Sequence, residues 1–314
     1  MAGNRVALPI EERVELLRSV FDTSTVVQRS GNNNDVVQYY EQSAIGYAFF
    51  HSRDGAIHMA LNPDGIYDQS GYQRQPDLIA RELGDQVPEH VLELGCGKGY
   101  NLKLLARRWP EADLLGIDIT RTHVLAARRE LRSLTNVYAD VGDFLDTGLA
   151  AASFDLIYSI ESLCHATDLP KALREVRRLA RKDAYLIVID AWRTDAVEKS
   201  ANAKAEAAKL TEKAMAVGHA TTQSEWLKVA KEARWRHIRT VSLNAEVMPN
   251  LVRFEAMSER FLRHRFIART AKSLVRSRLL ENAIAGYLMA QSLREGLHTY
   301  DMIVLQASRS KRDR

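Results

Sequence analysis

Val91 to Asn101 reads VLELGCGKGYN. A short apolar run ends beside an acid, Glu93, and then on three glycines, Gly95-x-Gly97-x-Gly99, before the sequence turns helical. Glycine-rich turns after a first strand hold several kinds of ligand, and spacing separates them. A dinucleotide fingerprint, GxGxxG, needs glycine at position 100, where Tyr100 stands. A phosphate-gripping P-loop needs four residues between its glycines and then Gly-Lys-Ser/Thr, and that pattern is also missing. What remains is a turn that lets backbone come close to a ligand. An acidic entry is a poor match for a diphosphate. It suits a ligand with a cationic amino group, of the adenosylmethionine type.

Outward from this turn the pattern alternates. HVLELG is a short apolar strand, and GYNLKLLARRW a helix that stops before Pro110. DLLGID and RTHVLAARRELRSL form the next strand and helix. NVYAD and FDLIYSI are the third and fourth strands, LPKALREVRRLA a helix, and AYLIVIDAW a fifth strand. Such alternation predicts a doubly wound, mostly parallel α/β sheet with helices on both faces. Right-handed crossovers then bring the strand C-termini, and the ligand, to one edge. Two acids fall on that edge. Asp118 ends the second strand, where a carboxylate can accept from both hydroxyls of a ribose. Asp143 follows the third strand beside Phe144, an acceptor and a ring suited to an adenine.

With these marks in order, the segment from Val91 to Trp192 resembles class I S-adenosylmethionine-dependent methyltransferases, whose opening motif is acidic-x-Gly-x-Gly-x-Gly. A narrower likeness lies in FDLIYSIESLCHAT, at Phe154 to Thr167. It is similar to the fourth strand of the sterol C-methyltransferase branch and of the related tocopherol and ubiquinone-type enzymes. The resemblance implies a Rossmann-like methyltransferase fold and S-adenosyl-L-methionine as cofactor. It implies that Gly95, Gly97 and Gly99 form the backbone turn and that Glu93 is the acid at the methionine end. Asp118 becomes the ribose acid, Asp143 and Phe144 the adenine contacts, and Ile160 an apolar wall. Cys96, Asn101 and Ile119 accompany them as cofactor contacts. The chain departs from the family in RKDAYL, which replaces the usual Pro-Gly-Gly before the fifth strand.

The remaining sequence is helical with two late strands. Pro9 to Phe21 is a predicted helix with Ile10, Val14, Leu17 and Phe21 on one face. TSTVVQRSGNNND breaks the pattern, and a second helix runs from Val36 to Phe50. DAVEKSANAKAEAAKLTEKAMAVG reads as one long helix, and SEWLKVAKEARW as another with Ser224 as a candidate cap. RHIRTVSLNAEV is a predicted strand, Leu251 to Leu293 holds two or three helices, and YDMIVLQA ends the sheet. The expected organisation is an N-terminal helical cap over residues 1–80 and a cofactor-binding core over 81–194. A helical lid insertion with the closing strands spans 195–308, and 309–314 is a disordered basic tail.

The chain has 314 residues and a net charge of +4, too mild and too dispersed to argue for nucleic acid. Its two cysteines, Cys96 and Cys164, provide no disulfide framework and no metal spacing. Without an apolar leader or a span-length apolar stretch, a cytoplasmic location is expected.

Methyl transfer is an in-line displacement in which a protein supplies mainly alignment. His165, just after the fourth strand, is the candidate general base, and Glu161 could orient it or hold an acceptor hydroxyl. Cys164 reads as a small buried residue. Tyr39, Tyr40 and Tyr47 could line a substrate pocket. The basic run from Arg253 to Arg278 reads as a solvated helix face, with contact to anionic lipid as the functional reading. The expected function is methylation of a small, largely apolar molecule on carbon or oxygen, with a lean to carbon. The alternatives are N-methylation and a non-catalytic scaffold that kept the fold. Pairing of the lid into a homodimer stays open.

Overall fold

The computed structural model describes residues 8–200, 202–263 and 277–308. Strands β1 (His90–Leu94), β2 (Asp113–Asp118), β3 (Val137–Val141), β4 (Phe154–Ile160) and β5 (Ala180–Arg193) run parallel. Strand β7 (His298–Ala307) lies antiparallel between β5 and β6 (Trp235–Ser242). The sheet order is β3-β2-β1-β4-β5-β7-β6. The strands are apolar on both faces because helices cover both. Val91, Leu114, Leu156 and Ile187 pack on one side against α4 (Arg74–Glu82), α5 (Tyr100–Arg108) and α6 (Arg121–Leu131). Leu92, Ile157, Leu186 and Ile303 face the other way, toward α7 (Leu169–Leu179) and α9 (Gln223–Glu232), the alternation that a two-residue period imposes. Strand order reverses between β1 and β4, and the crevice outside the strand ends at that reversal is where such sheets bind ligands.

A second apolar core joins the two ends of the chain. Ile10, Val14 and Leu17 of α1 (Ile10–Val20) pack with Ala207 and Leu210 of α8 (Asn202–Ala214) and with Ile284 and Leu288 of α11 (Ser277–Arg294). Helices α3 (Asn33–Phe50) and α10 (Asn244–Arg263) complete this layer, so the N-terminal helices and those inserted after β5 form one unit.

Several local expectations change. Residues 23–27 form a short helix, α2 (Thr23–Val27), because the Asp22 carboxylate accepts from Thr25 N–H and caps it. The long alanine-rich helix begins only at Asn202. Before it, Thr194 and Ser200 hydroxyls bond nearby backbone and hold a turn. The cap of α9 is Thr222, not Ser224: Thr222 and Glu225 form a reciprocal capping box. Thr222→Ala is therefore expected to lower stability by about 1 kcal/mol, and Ser224→Ala by much less, in denaturant melts. Strand β6 stops at Ser242, and LNAEV instead opens α10, which absorbs Pro249 as its sixth residue.

In the basic run, Arg253 lies over the rings of Tyr67 and Phe254, and Arg278 is buried in ion pairs with Asp35 and Glu281. Neither is part of a solvated face, whereas Arg260 and Arg263 are exposed. Arg265, Arg269, Lys272, Leu274, Val275 and Arg276, and the tail at 309–314, lie outside the described residues. Among the described residues no helix is long and apolar enough to cross a membrane.

Candidate active site

The glycine turn is built on hydrogen bonds to β2. Gly95 and Cys96 N–H groups both donate to the Ile117 carbonyl, and Gly97 N–H donates to Asp118 Oδ2 at 2.8 Å. Gly95 has φ +71°, and a Cβ there would run into Ser162 Oγ, so both backbone shape and space demand glycine. Gly95 and Cys96 line a cleft at the end of β1. Gly97 and Gly99 do not. They sit behind it, Gly97 under Ile57 and Gly99 against Ala127 of α6, so only part of the turn faces a ligand.

Asp118 is buried in the cleft wall. Its Oδ1 accepts from Thr120 N–H at 2.7 Å. Burial pushes the carboxyl up, but His123 and the N–H groups of Thr120 and Gly97 outweigh it and hold Asp118 below the usual carboxylate range. It stays ionised, with lone pairs left over. Beside it the Thr120 hydroxyl lines the cleft, buried and without a partner among the described residues. Ile119, Phe144 and Ile160 supply apolar walls, and Asp143 closes the β3 side, held by Asn33 Nδ2 and Leu145 N–H. An orphaned hydroxyl, a carboxylate with free acceptors and flat apolar walls fit an adenosyl group.

Glu93 does not reach the cleft. Its carboxylate is fully buried, taking Asn101 Nδ2 at 2.9 Å and Tyr158 Oη at 3.0 Å. Asn101 is the residue that lines the cleft, and its other end meets His58 Nε2 at 3.0 Å. Glu93 thus sets Asn101 in place. Burial raises Glu93 to about 8, against the downward pull of Asn101 and Tyr158. An acid raised on folding gives stability that is full below its unfolded pKa and is lost as pH climbs to the folded one. Glu93→Gln keeps both hydrogen bonds, since Tyr158 can rotate to accept. The loss of stability between about pH 5 and about pH 8 should therefore shrink in this variant, by up to about 1.4 kcal/mol for each pH step of one across that range, as read by melts at both ends of it.

Across the end of β4 lies a second, larger cavity, walled mainly by apolar side chains of α3, α10 and α11. Tyr40, Ile57, Glu161 and His165 line both spaces and form their common wall. His165 follows β4 in a 3₁₀ turn, Leu163–His165. Its Nδ1 lies 3.3 Å from the Ala216 carbonyl, which can only accept, so Nδ1 carries the hydrogen. Nε2 is then the acceptor for the Tyr40 hydroxyl at 3.1 Å. Burial lowers the His165 pKa, leaving the ring neutral.

Glu161 does not orient His165. Its Oε1 accepts from Met59 N–H at 2.7 Å and from Tyr300 Oη at 2.5 Å. Its backbone has φ +48°, an unfavourable conformation for a non-glycine residue that clusters at working sites. Cys164 is only half-buried, and it lines the larger cavity with its thiol pushed up by burial. Tyr39, Tyr40 and Tyr47 all line that cavity, with Tyr39 and Tyr47 hydroxyls 3.0 Å apart.

Among the contributors that escape a reading of the sequence are Asn33, His58, Thr120, Ser162, Asp190 and Tyr300. Asp190 has a signal, an acid near the end of a parallel strand. Tyr300 has none, because it arrives on the closing antiparallel strand.

A doubly wound sheet with a carboxylate at the end of β2 and a ligand cleft at the β1/β4 reversal defines a nucleoside-cofactor fold. Comparison with known proteins narrows it. Residues 86–234 match the family described as "Methyltransferase domain". An O-methyltransferase of Penicillium expansum, cnsE, is 32% identical over 143 residues, covering 40% of this chain and 51% of the relative. Cycloartenol-C-24-methyltransferase of Arabidopsis thaliana is 26% identical over 183 residues, covering 57% and 54%. The chain spans about half the length of these curated relatives. Geranyl diphosphate C-methyltransferase from Streptomyces coelicolor A3(2), solved with S-adenosyl-L-homocysteine, superposes with a TM-score of 0.64 at 17% identity, covering 87% of this chain and 97% of that one. Over residues 86–234 the chain is therefore similar to methyltransferase domains, and it shares their fold.

Proposed function

We propose that the protein transfers a methyl group from S-adenosyl-L-methionine to a small, largely apolar molecule held in the larger cavity. The observation that carries this reading is the common wall. The cleft that fits an adenosyl group and the apolar cavity meet at Tyr40, Glu161 and His165, so a donor and an acceptor can face each other with little between them. Asp118 and Thr120 would hold the ribose, Asp143 and Phe144 the base, and Asn101, backed by Glu93, the amino acid end. The cofactor supplies an electrophilic methyl group on a sulfonium. The chain contributes alignment, exclusion of water by the helical layer, and a neutral imidazole whose Nε2 can take a proton from the acceptor directly or through the Tyr40 hydroxyl. Helices α1, α2, α3, α8, α10 and α11 serve together as the cap over the 81–194 core, whose sheet β6 and β7 close.

Carbon or oxygen is the acceptor atom in the leading reading, with the lean to carbon resting on the likeness of residues 154–167 to the sterol branch. Nitrogen is the second reading, favoured by two carboxylates, Glu161 and Asp190, in the cavity wall. The experiment is direct. Calorimetric titration with adenosylmethionine should give saturable binding, and incubation with methyl-labelled cofactor and fractionated extract should label a small apolar compound. Absence of binding heat at high micromolar cofactor would favour the scaffold alternative.

A further inference from the structure

Buried charge in an apolar cavity is costly unless something compensates it. Two acidic side chains stand in the larger cavity, one half-buried and one buried. Glu161 and Asp190 both line it, and neither has an ion-pair partner among the described residues. Both hydrogen bonds to Glu161 fall on Oε1, leaving Oε2 without a partner among the described residues. Asp190 is 4% exposed; its two oxygens take one backbone N–H each, from Cys164 at 3.1 Å and Ala191 at 2.9 Å, and the Cys164 thiol also bonds the carboxyl group. The cationic side chains that line the cavity do not answer them. Arg193 is committed to Glu212, which also holds His298, and Arg260 is exposed. The same wall carries Tyr39, Tyr40 and Tyr47, grouped with ring centroids 5.0 to 6.4 Å apart.

We infer that the cavity takes an apolar molecule bearing one cationic amine, with Glu161 and Asp190 as its counter-charges beside the three tyrosine rings. The inference rests on the reading of this cavity as the acceptor site, and it adds the substrate class. A neutral hydrocarbon would leave two carboxylates facing apolar surface, and an anion would be repelled by both. An ammonium group answers each carboxylate and is attracted to aromatic faces as well. Burial, together with the nearby Glu161, raises Asp190 to about 7, and a positive neighbour would favour its charged form. The amine is a recognition handle whichever atom of the molecule is methylated.

The test compares three ligands with one chain length: octyltrimethylammonium, 1-octanol and octyl sulfate, each titrated into the full chain below its micelle concentration. The cation should bind at least about tenfold more tightly than the alcohol, with the sulfate weakest. Glu161→Gln, which keeps the two bonds on Oε1, should reduce that preference severalfold and leave the affinity for the alcohol nearly unchanged, and Asp190→Asn should act in the same direction. Equal or tighter binding of the alcohol or the sulfate to the unmodified protein would overturn the inference, without reliance on any variant folding. So would a cation preference that survives both substitutions in one folded protein. Adenosylmethionine binding is measured separately, so a failed cofactor titration counts against the methyltransferase reading and a failed ligand comparison counts against this one.

Discussion

With His165 replaced by alanine, turnover is expected to fall by a factor of about 10²–10⁴, while affinity for adenosylmethionine changes by less than a few fold. The magnitude is that of a lost general base, and three features of the site call for it. The ring is neutral, because burial lowers its pKa, so a proton can be accepted at ordinary pH. The Ala216 carbonyl fixes the tautomer and leaves Nε2 as the basic atom. The ring lies in the wall between the adenosyl cleft and the apolar cavity. Because Nε2 is engaged by the Tyr40 hydroxyl, Tyr40→Phe separates two routes. If the hydroxyl relays the proton, this variant should be nearly as slow as His165→Ala. If His165 acts directly, it should be slowed only a few fold. Normal turnover in His165→Ala, with the cofactor still bound, would reduce the histidine to a packing residue.

The parallel core is legible in the sequence because its signals are local. Each of β1 to β5 is a short apolar run, and each crossover helix carries its own periodicity. Gly95-x-Gly97-x-Gly99 and Asp118 stand at strand ends where a doubly wound sheet must place its ligand. Less legible are features decided by packing across distance. LNAEV has strand-like residues but opens α10, since Asn244 Oδ1 accepts from Tyr300 N–H and turns the chain. Glu93 carries an acid's signature at the methionine end, yet Tyr158 from the neighbouring strand takes one of its oxygens and moves its influence to Asn101. A four-residue spacing pairs Glu161 with His165 in the sequence. The 3₁₀ turn and the positive φ at Glu161 separate them, and Tyr300, far along the chain, claims the carboxylate. No window of sequence around Glu161 contains that partner. The larger cavity is hidden from the sequence for the same reason, because its walls come from α3, β5, α8, α10, α11 and β7 together.

Asp118→Ala is expected to weaken adenosylmethionine binding by about 1–3 kcal/mol, roughly ten- to 150-fold, the cost of losing hydrogen bonds to a charged acceptor. The carboxylate has two duties and both fail together. Toward the cleft it offers the lone pairs for which a ribose competes. Toward the protein it accepts from Gly97 N–H at 2.8 Å and Thr120 N–H at 2.7 Å, which ties the glycine turn to the end of β2. Alanine strands both donors in a buried position, so a stability loss of about 1–3 kcal/mol should accompany the loss of affinity. Asp118→Asn tells the two duties apart. Its oxygen can still accept from Thr120, but its amide nitrogen meets the Gly97 N–H donor to donor. The turn should therefore be weakened in both variants, while one acceptor toward the ribose survives only in the asparagine. Affinity should accordingly rank wild type above Asn and Asn above Ala, in calorimetric titrations at a temperature where melts show each protein folded. Acid adds a second reading of the same group. Because Asp118 is held below its ordinary pKa in the folded chain, its contribution is present above the unfolded value and is lost as pH falls toward the folded one. Wild type should thus lose stability below about pH 4, and Asp118→Ala should lose less over that range. An alanine variant that binds the cofactor as tightly as wild type would take Asp118 out of the ribose site and leave it only the task of holding the turn.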